Sequence, residues 1–88
     1  MKIKDGFILR DVGGKTFVVA VGERSKEFKG MITLNETGKL IWQTLEKDSS
    51  IEDVVNAITS KYECDDVALV EKDVKAFVEK LAGDGILE

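Results

Sequence analysis

The 88-residue sequence contains no histidine, no proline and one cysteine, and its formal net charge is -4. A chain of this length forms one domain, residues 1–88, and 43% apolar with 34% charged residues is typical of a globular protein. Without histidine, and with one cysteine, the sequence lacks the usual general base and zinc ligands. No apolar run reaches the ~18 residues of a membrane span or resembles a signal peptide. We therefore expect a cytoplasmic binding domain that is no enzyme, holds no cofactor or metal and has no membrane partner.

The first third of the chain predicts three β-strands. Residues 7–12 and 16–21 are rich in β-branched and aromatic residues, and Gly13-Gly14 between them supplies the positive φ angles of a two-residue hairpin turn. The second segment is apolar on both faces, which indicates a central strand. The polar residues 22–27 predict a loop. A third strand over 28–34 then completes an antiparallel meander and lies at its edge.

The hydrophobic period becomes helical after the third strand. Asn35 is a suitable N-cap for a first helix over 36–47, although a capping box of Thr33 with Glu36 would begin it two residues earlier. We prefer Asn35, and Glu36 suits the first turn, where the helix dipole favours acidic side chains.

Two longer amphipathic helices follow, over 51–62 and 67–82. Ser50 and Asp53 fit a capping box at the start of the second helix. The third helix begins near Asp65 or Asp66, and Gly83 fits a left-handed cap at its end, after which Ile86-Leu87 fold back onto the core. The predicted fold class is α+β: a three-stranded antiparallel sheet followed by a three-helix bundle, similar to a winged helix.

Cys64 is the obvious candidate for a reactive nucleophile in this sequence. Acidic residues flank it at Glu63, Asp65 and Asp66. Acidic neighbours disfavour the thiolate, because a reactive cysteine needs positive charge or a base nearby. We therefore interpret Cys64 as structural.

A winged helix suggests DNA binding, but the charge distribution argues against it. Residues 1–47 contain nine Lys/Arg and six Asp/Glu, net +3, whereas residues 48–88 contain four and eleven, net -7. A DNA-reading helix needs several cations to neutralise phosphates. The third helix balances Lys72, Lys75 and Lys80 with three acidic residues. We expect no nucleic-acid partner.

The predicted third strand is the most plausible binding element. An exposed strand edge offers unpaired N–H and C=O groups, which proteins usually protect with charges or proline, and residues 30–33 contain neither. An extended peptide could add there as a further strand. Two alternatives stay open at this point: self-association through the same edge, giving a homodimer, and an edge covered by residues 22–27.

The segment from Leu34 to Trp42, Leu-Asn-Glu-Thr-Gly-Lys-Leu-Ile-Trp, resembles the PqqD-like family, also known as recognition elements for precursor peptides. Weaker similarity extends over nearly the whole chain, at Ile8-Leu9-Arg10, at residues 50–55, in the third helix and at Gly85-Ile86-Leu87. Glu36 departs from the proline that often begins the first helix in this family.

This resemblance implies a domain that holds the leader segment of a ribosomally made precursor peptide and presents it to a modifying enzyme, often a radical SAM protein. It also implies that the leader pairs with the third strand and lies against the third helix. Transferred to this sequence, the strand side of the groove comprises Lys29, Gly30, Met31, Ile32 and Thr33, and the helix side comprises Asp73, Val74, Ala76, Phe77 and Lys80. Periodicity leaves open which of Val74 and Phe77 lines the groove and which lies in the core.

Overall fold

A computed structural model of the protein describes residues 1–27, 30–62 and 66–88. It contains a three-stranded antiparallel sheet followed by helices, as the sequence predicts. The elements in chain order are β1 (Phe7–Val12), β2 (Lys15–Ala20), α1 (Arg24–Glu27), β3 (Met31–Leu34), α2 (Glu36–Leu45), α3 (Ile51–Lys61) and α4 (Val67–Gly83). The strand order is β1-β2-β3, so β2 is central and β3 lies at an edge.

A tight turn joins β1 to β2. Val12 pairs with Lys15, which leaves Gly13 and Gly14 as the two turn residues, with φ angles of 58° and 79°. Two consecutive positive φ angles characterise the turn that matches the twist of a β-hairpin, and glycine adopts them without a steric cost. The predicted hairpin is therefore confirmed, with β2 beginning one residue earlier than expected.

The helices begin at the predicted caps. Asn35 Oδ1 accepts a hydrogen bond from the backbone N–H of Gly38 at 2.8 Å, and Ser50 and Asp53 form both bonds of a capping box. Asp66 caps α4 by accepting from the N–H of Leu69. Asn35 rather than Thr33 thus caps α2, and the helix ends at Leu45, two residues earlier than expected.

The C-terminus of α4 differs from the prediction, because a different glycine reverses the chain. The helix continues through Gly83, and Gly85 has the positive φ, 75°. The N–H of Ile86 donates to the carbonyl of Leu81, and that of Gly85 to the carbonyl of Ala82. This pair of bonds is a Schellman motif centred on Gly85. The sequence offered two glycines two residues apart, and propensity alone does not distinguish them.

Residues 22–27 also differ from the prediction, because they do not form a loop throughout. Arg24 to Glu27 form one helical turn, α1, in which the Ser25 hydroxyl and N–H both bond to the carbonyl of Gly22. Arg24 also donates to the carbonyl of Asp5 and lies over the Phe7 ring, at 5.8 Å from its centroid. Residues 28 and 29, which the sequence assigns to the third strand, lie outside the described residues, as does Cys64.

The core lies between one face of the sheet and the three long helices. Its fully buried members come from every layer: Val18, Trp42, Leu45, Val54, Val74, Leu81 and Ile86. Ile86 reaches the core because Gly85 turns the chain back over α4. Ile3 is 6% exposed and pairs with Leu87 across an isolated bridge, so the N-terminal segment closes the same core. The sequence does not indicate this last contact, which joins residues far apart along the chain.

Candidate functional site

The edge of β3 is open in the described part of the chain. One side of the strand pairs with β2, and no described residue pairs with the other. Ile32 and Leu34 lie on the core side of the sheet, opposite Val18 and Thr16 of β2. Met31 lies on the outer side and is 63% exposed. This edge therefore offers backbone donors and acceptors together with an apolar side chain on each face.

One flank of α4 carries exposed side chains on the side of α2. Leu69, Asp73, Ala76 and Lys80 follow one another at spacings of three or four residues, so they form a single stripe along the helix. All four are exposed, and Phe77, half-buried, lies between this stripe and the core. Asp73, one of the four, lines a cavity together with Thr37 and Ile41 of α2, the helix that follows β3 after Asn35.

A cavity of about 200 Å³ lies among α2, α3 and α4 and includes Thr37 in the first turn of α2. Its walls are mainly apolar, with Asp73 contributing a carboxylate; the lining residues are Thr37, Ile41, Ile58, Tyr62, Val70, Asp73 and Val74. The Tyr62 hydroxyl donates to Glu36 Oε2 at 3.5 Å, which links the end of α3 to the first turn of α2. Such a cavity has the composition of a site for one apolar side chain.

The opposite flank of α4 faces α3 and has a different character. Glu71 and Lys75 form an ion pair there, with 2.8 Å between Oε1 and Nζ. The hydrogen bond to Glu71 and the negative charge of Glu71 raise the pKa of Lys75 above the ordinary lysine value. These two charges neutralise one another, so this flank is less suited to bind a partner than the flank with Leu69 and Asp73.

A family model for coenzyme PQQ synthesis protein D (PqqD) matches residues 9–87. The chain belongs to the PqqD family. Among solved structures, the chain is similar to TbiB1 in complex with the TbiA(beta) leader peptide, with a TM-score of 0.77 and 27% sequence identity. The match covers 100% of this chain and 95% of the other. No curated protein matches the sequence.

The structure locates most of the residues that the PqqD resemblance singled out. Gly30, Thr33, Asp73, Ala76 and Lys80 are exposed. Val74 is 1% exposed and belongs to the core, and it also lines the wall of the cavity. Phe77 is half-buried beside the exposed stripe. Lys29 lies outside the described residues.

Leu69 and the cavity residues of α2 and α3 escaped the sequence analysis. Leu69 is 53% exposed. Its signal was present, because it is an apolar residue that lies about 80° around the helix from Phe77, the nearest member of the core stripe. The cavity could not be found in this way, because Thr37, Ile58 and Tyr62 come together only through the packing of three helices.

Two further properties concern the whole described chain of this PqqD-family member. Across residues 1–27, 30–62 and 66–88, no helix is both long enough and apolar enough to cross a membrane. Over the same ranges, no group of three or more Cys, Asp or Glu side chains comes together to hold a metal ion.

Proposed function

We propose that this protein binds the leader segment of a ribosomally made precursor peptide as a fourth strand beside β3 and presents it to a modifying enzyme. Membership of the PqqD family and the likeness to TbiB1, a protein solved with a leader peptide, confirm the predicted class of peptide-recognition domain. Recognition elements of this type are non-catalytic adaptors, and we propose that this chain also performs no chemistry itself.

The observation that carries the proposal is the open edge of β3, and we propose that the exposed flank of α4 forms the second side of the groove. Backbone pairing with β3 supplies affinity that does not depend on sequence, whereas the cavity and the flank supply selectivity for side chains. The residues proposed to contact the peptide are Gly30, Met31, Ile32, Thr33, Asp73, Ala76, Phe77 and Lys80, with Leu69 and the cavity added. Lys29 remains a candidate from the sequence, and Val74 acts through the cavity wall.

The proposed partners follow from the same role. The enzyme that receives the leader is proposed to be a radical SAM protein, and the complex is proposed to form in the cytoplasm without nucleic acid or membrane. No residue of this chain is needed for the enzyme's chemistry, because the adaptor supplies only the position of the peptide.

Self-association through β3 is the second candidate, and the same open edge favours it, because a copy of the chain could pair there as readily as a peptide. A dimer of this kind would compete with the leader for the same backbone groups. Light scattering over a range of concentrations separates the two: a dimer that an excess of leader peptide leaves intact would favour self-association.

The proposed function is tested by an amide NMR titration of the full chain with its cognate leader peptide. We expect chemical-shift changes in residues 30–34 together with residues 69–80. Changes confined to α3, or no changes at saturating peptide, would contradict the proposal. Residues 7–12 of β1 serve as an internal control, since they lie at the far edge of the sheet.

A further inference from the structure

The outer face of the sheet, opposite the helices, carries an apolar row that ends at the open edge of β3. Ile8 lies opposite Val19, and Val19 lies opposite Met31. These side chains point away from the face of Val18, which is 0% exposed, and none of the three belongs to the core. Met31 ends the row, and no described residue continues it beyond β3.

A strand added to β3 would extend two rows at once. Successive residues of a strand point to opposite faces, and paired residues on neighbouring strands lie about 4.5–5.5 Å apart. The peptide residue paired with Met31 would therefore lie on the outer face. The next residue, paired with Ile32, would point towards α4 and the core. Both meet an apolar side chain, so two consecutive apolar residues of the peptide would be covered.

The charges of the outer face disfavour packing of this face against the same face of a second copy. The ionisable side chains that the strand register places on this face are Arg10 and Lys15, and both are cations. Two copies packed face to face through a two-fold axis would bring these cations onto one shared interface without carboxylates to neutralise them. A single strand added next to Met31 is separated from Arg10 by both β3 and β2 and avoids this repulsion.

We infer that Met31 selects the outward-facing side chain of the bound peptide, so that the peptide is read on both of its faces. The inference rests on the proposed function and makes it more specific. The ligand is an extended segment with two consecutive apolar residues, one covered by Met31 and the other by Ile32 and α4. A leader read only in the groove would instead need apolar residues at alternate positions.

The test is a selection of random peptides by mRNA display on the immobilised full chain, repeated with charged variants of Met31. We expect the wild type to enrich adjacent apolar residues. Met31→Lys should enrich Asp or Glu at the outward position, and Met31→Glu should enrich Lys or Arg there. Val12→Lys is the matched control, since Val12 is equally exposed at 63% and lies on the same face, but at the far end of β1.

The affinity of one selected peptide gives the second measurement. Met31→Thr should weaken it roughly twofold to fivefold, the range of one cross-strand side-chain pair, and Val12→Thr should leave it unchanged. The inference would be overturned, with strand addition left intact, by enrichment of peptides that are apolar only at alternate positions. A Met31→Lys selection that enriches the same residues as the wild type would overturn it in the same way. A selection that enriches no peptide would overturn strand addition as well.

Discussion

Lys39 Nζ lies 2.9 Å from Oδ2 of Asp11, an ion pair that joins the start of α2 to β1. Oδ1 of the same carboxylate accepts a hydrogen bond of 2.6 Å from the Thr16 hydroxyl. Asp11, Thr16 and Leu34 occupy one row across the sheet, and Leu34 immediately precedes the residue that caps α2. The carboxylate therefore ties the first hairpin to the helix that forms one wall of the cavity.

These contacts give the stability of the domain a specific pH dependence. The Thr16 hydrogen bond first, and Lys39 second, lower the pKa of Asp11 below its ordinary value of 3.8. A lowered folded-state pKa stabilises the fold above the ordinary pKa, and this contribution is lost as the pH falls through the lowered value. Below about pH 4, urea titrations should show the free energy of unfolding falling more steeply for the wild type than for Asp11→Asn.

Thr16→Val is the control for this assignment. It keeps a β-branched residue in β2 and removes the hydroxyl, so the pKa of Asp11, measured by NMR of its carboxyl carbon, should rise towards the ordinary value. Lys39→Met should also raise it, because it removes both a hydrogen bond and a positive charge. Equal pH slopes for the wild type and Asp11→Asn would show that the carboxylate makes no net contribution.

Trp42 is the packing centre of α2. It is 1% exposed, and its ring meets that of Phe7 edge-on, with 6.1 Å between centroids and an interplanar angle of 81°. Trp42→Ala should cost about 3–5 kcal/mol of unfolding free energy, a large share of the ~5–15 kcal/mol of a typical domain. Thermal unfolding followed by circular dichroism measures this loss. Phe7→Leu, which keeps an apolar side chain, should cost less, and equal losses would contradict a central role for Trp42.

The fold was largely predictable because its signals are local. The Gly13-Gly14 turn, the Asn35 cap and the Ser50 capping box each act within four residues, and all three appear in the structure. The sequence predicts the left-handed cap at Gly83 and not at Gly85, because both lie just beyond the last apolar turn. The choice between them depends on Ile86 reaching the core. The helical turn at 24–27 depends on Arg24 meeting Asp5, a contact that no local pattern reveals.

The candidate site was predictable only in part, for a related reason. Strand alternation assigns Ile32 to the core side and Met31 to the outer side once one buried neighbour is known. The family resemblance, by contrast, implies that both lie on the strand side of the groove. Periodicity could not separate Val74 from Phe77, because both fall on the wide apolar face of α4. The cavity depends on how three helices pack, so its lining residues from α2 and α3 were inaccessible to sequence reasoning, whereas Asp73 and Val74 of α4 were among the predicted residues.

Filling the cavity among α2, α3 and α4 should separate its role in peptide binding from its role in stability. Val70 is half-buried and lines the wall, and Val70→Phe would place a ring in a space of about 200 Å³. We expect leader affinity, measured by calorimetry, to fall about tenfold, equivalent to about 1.4 kcal/mol, with the unfolding free energy unchanged or raised. Val67→Phe is the matched control, because Val67 lines a separate surface pocket between α3 and α4 and not this cavity. Unchanged affinity for Val70→Phe would exclude this cavity from the site.

The exposed flank of α4 offers a matched pair for the last prediction. Leu69 is 53% exposed on the side of α2, and Val67 is 51% exposed on the side of α3. Both lie in the first turn of the helix, where a glutamate is compatible with the helix dipole, so Leu69→Glu and Val67→Glu should affect stability similarly.

Only Leu69→Glu should weaken leader binding. Covering the exposed half of a leucine is worth about 1 kcal/mol, so its loss should reduce the affinity about fivefold in fluorescence anisotropy with a labelled leader. Val67→Glu should leave it unchanged, because Val67 faces α3 rather than the peptide. If both variants bind as the wild type does, the peptide does not reach the first turn of α4. If Val67→Glu alone weakens binding, the peptide lies on the α3 side of α4, and the open edge of β3 is not its site.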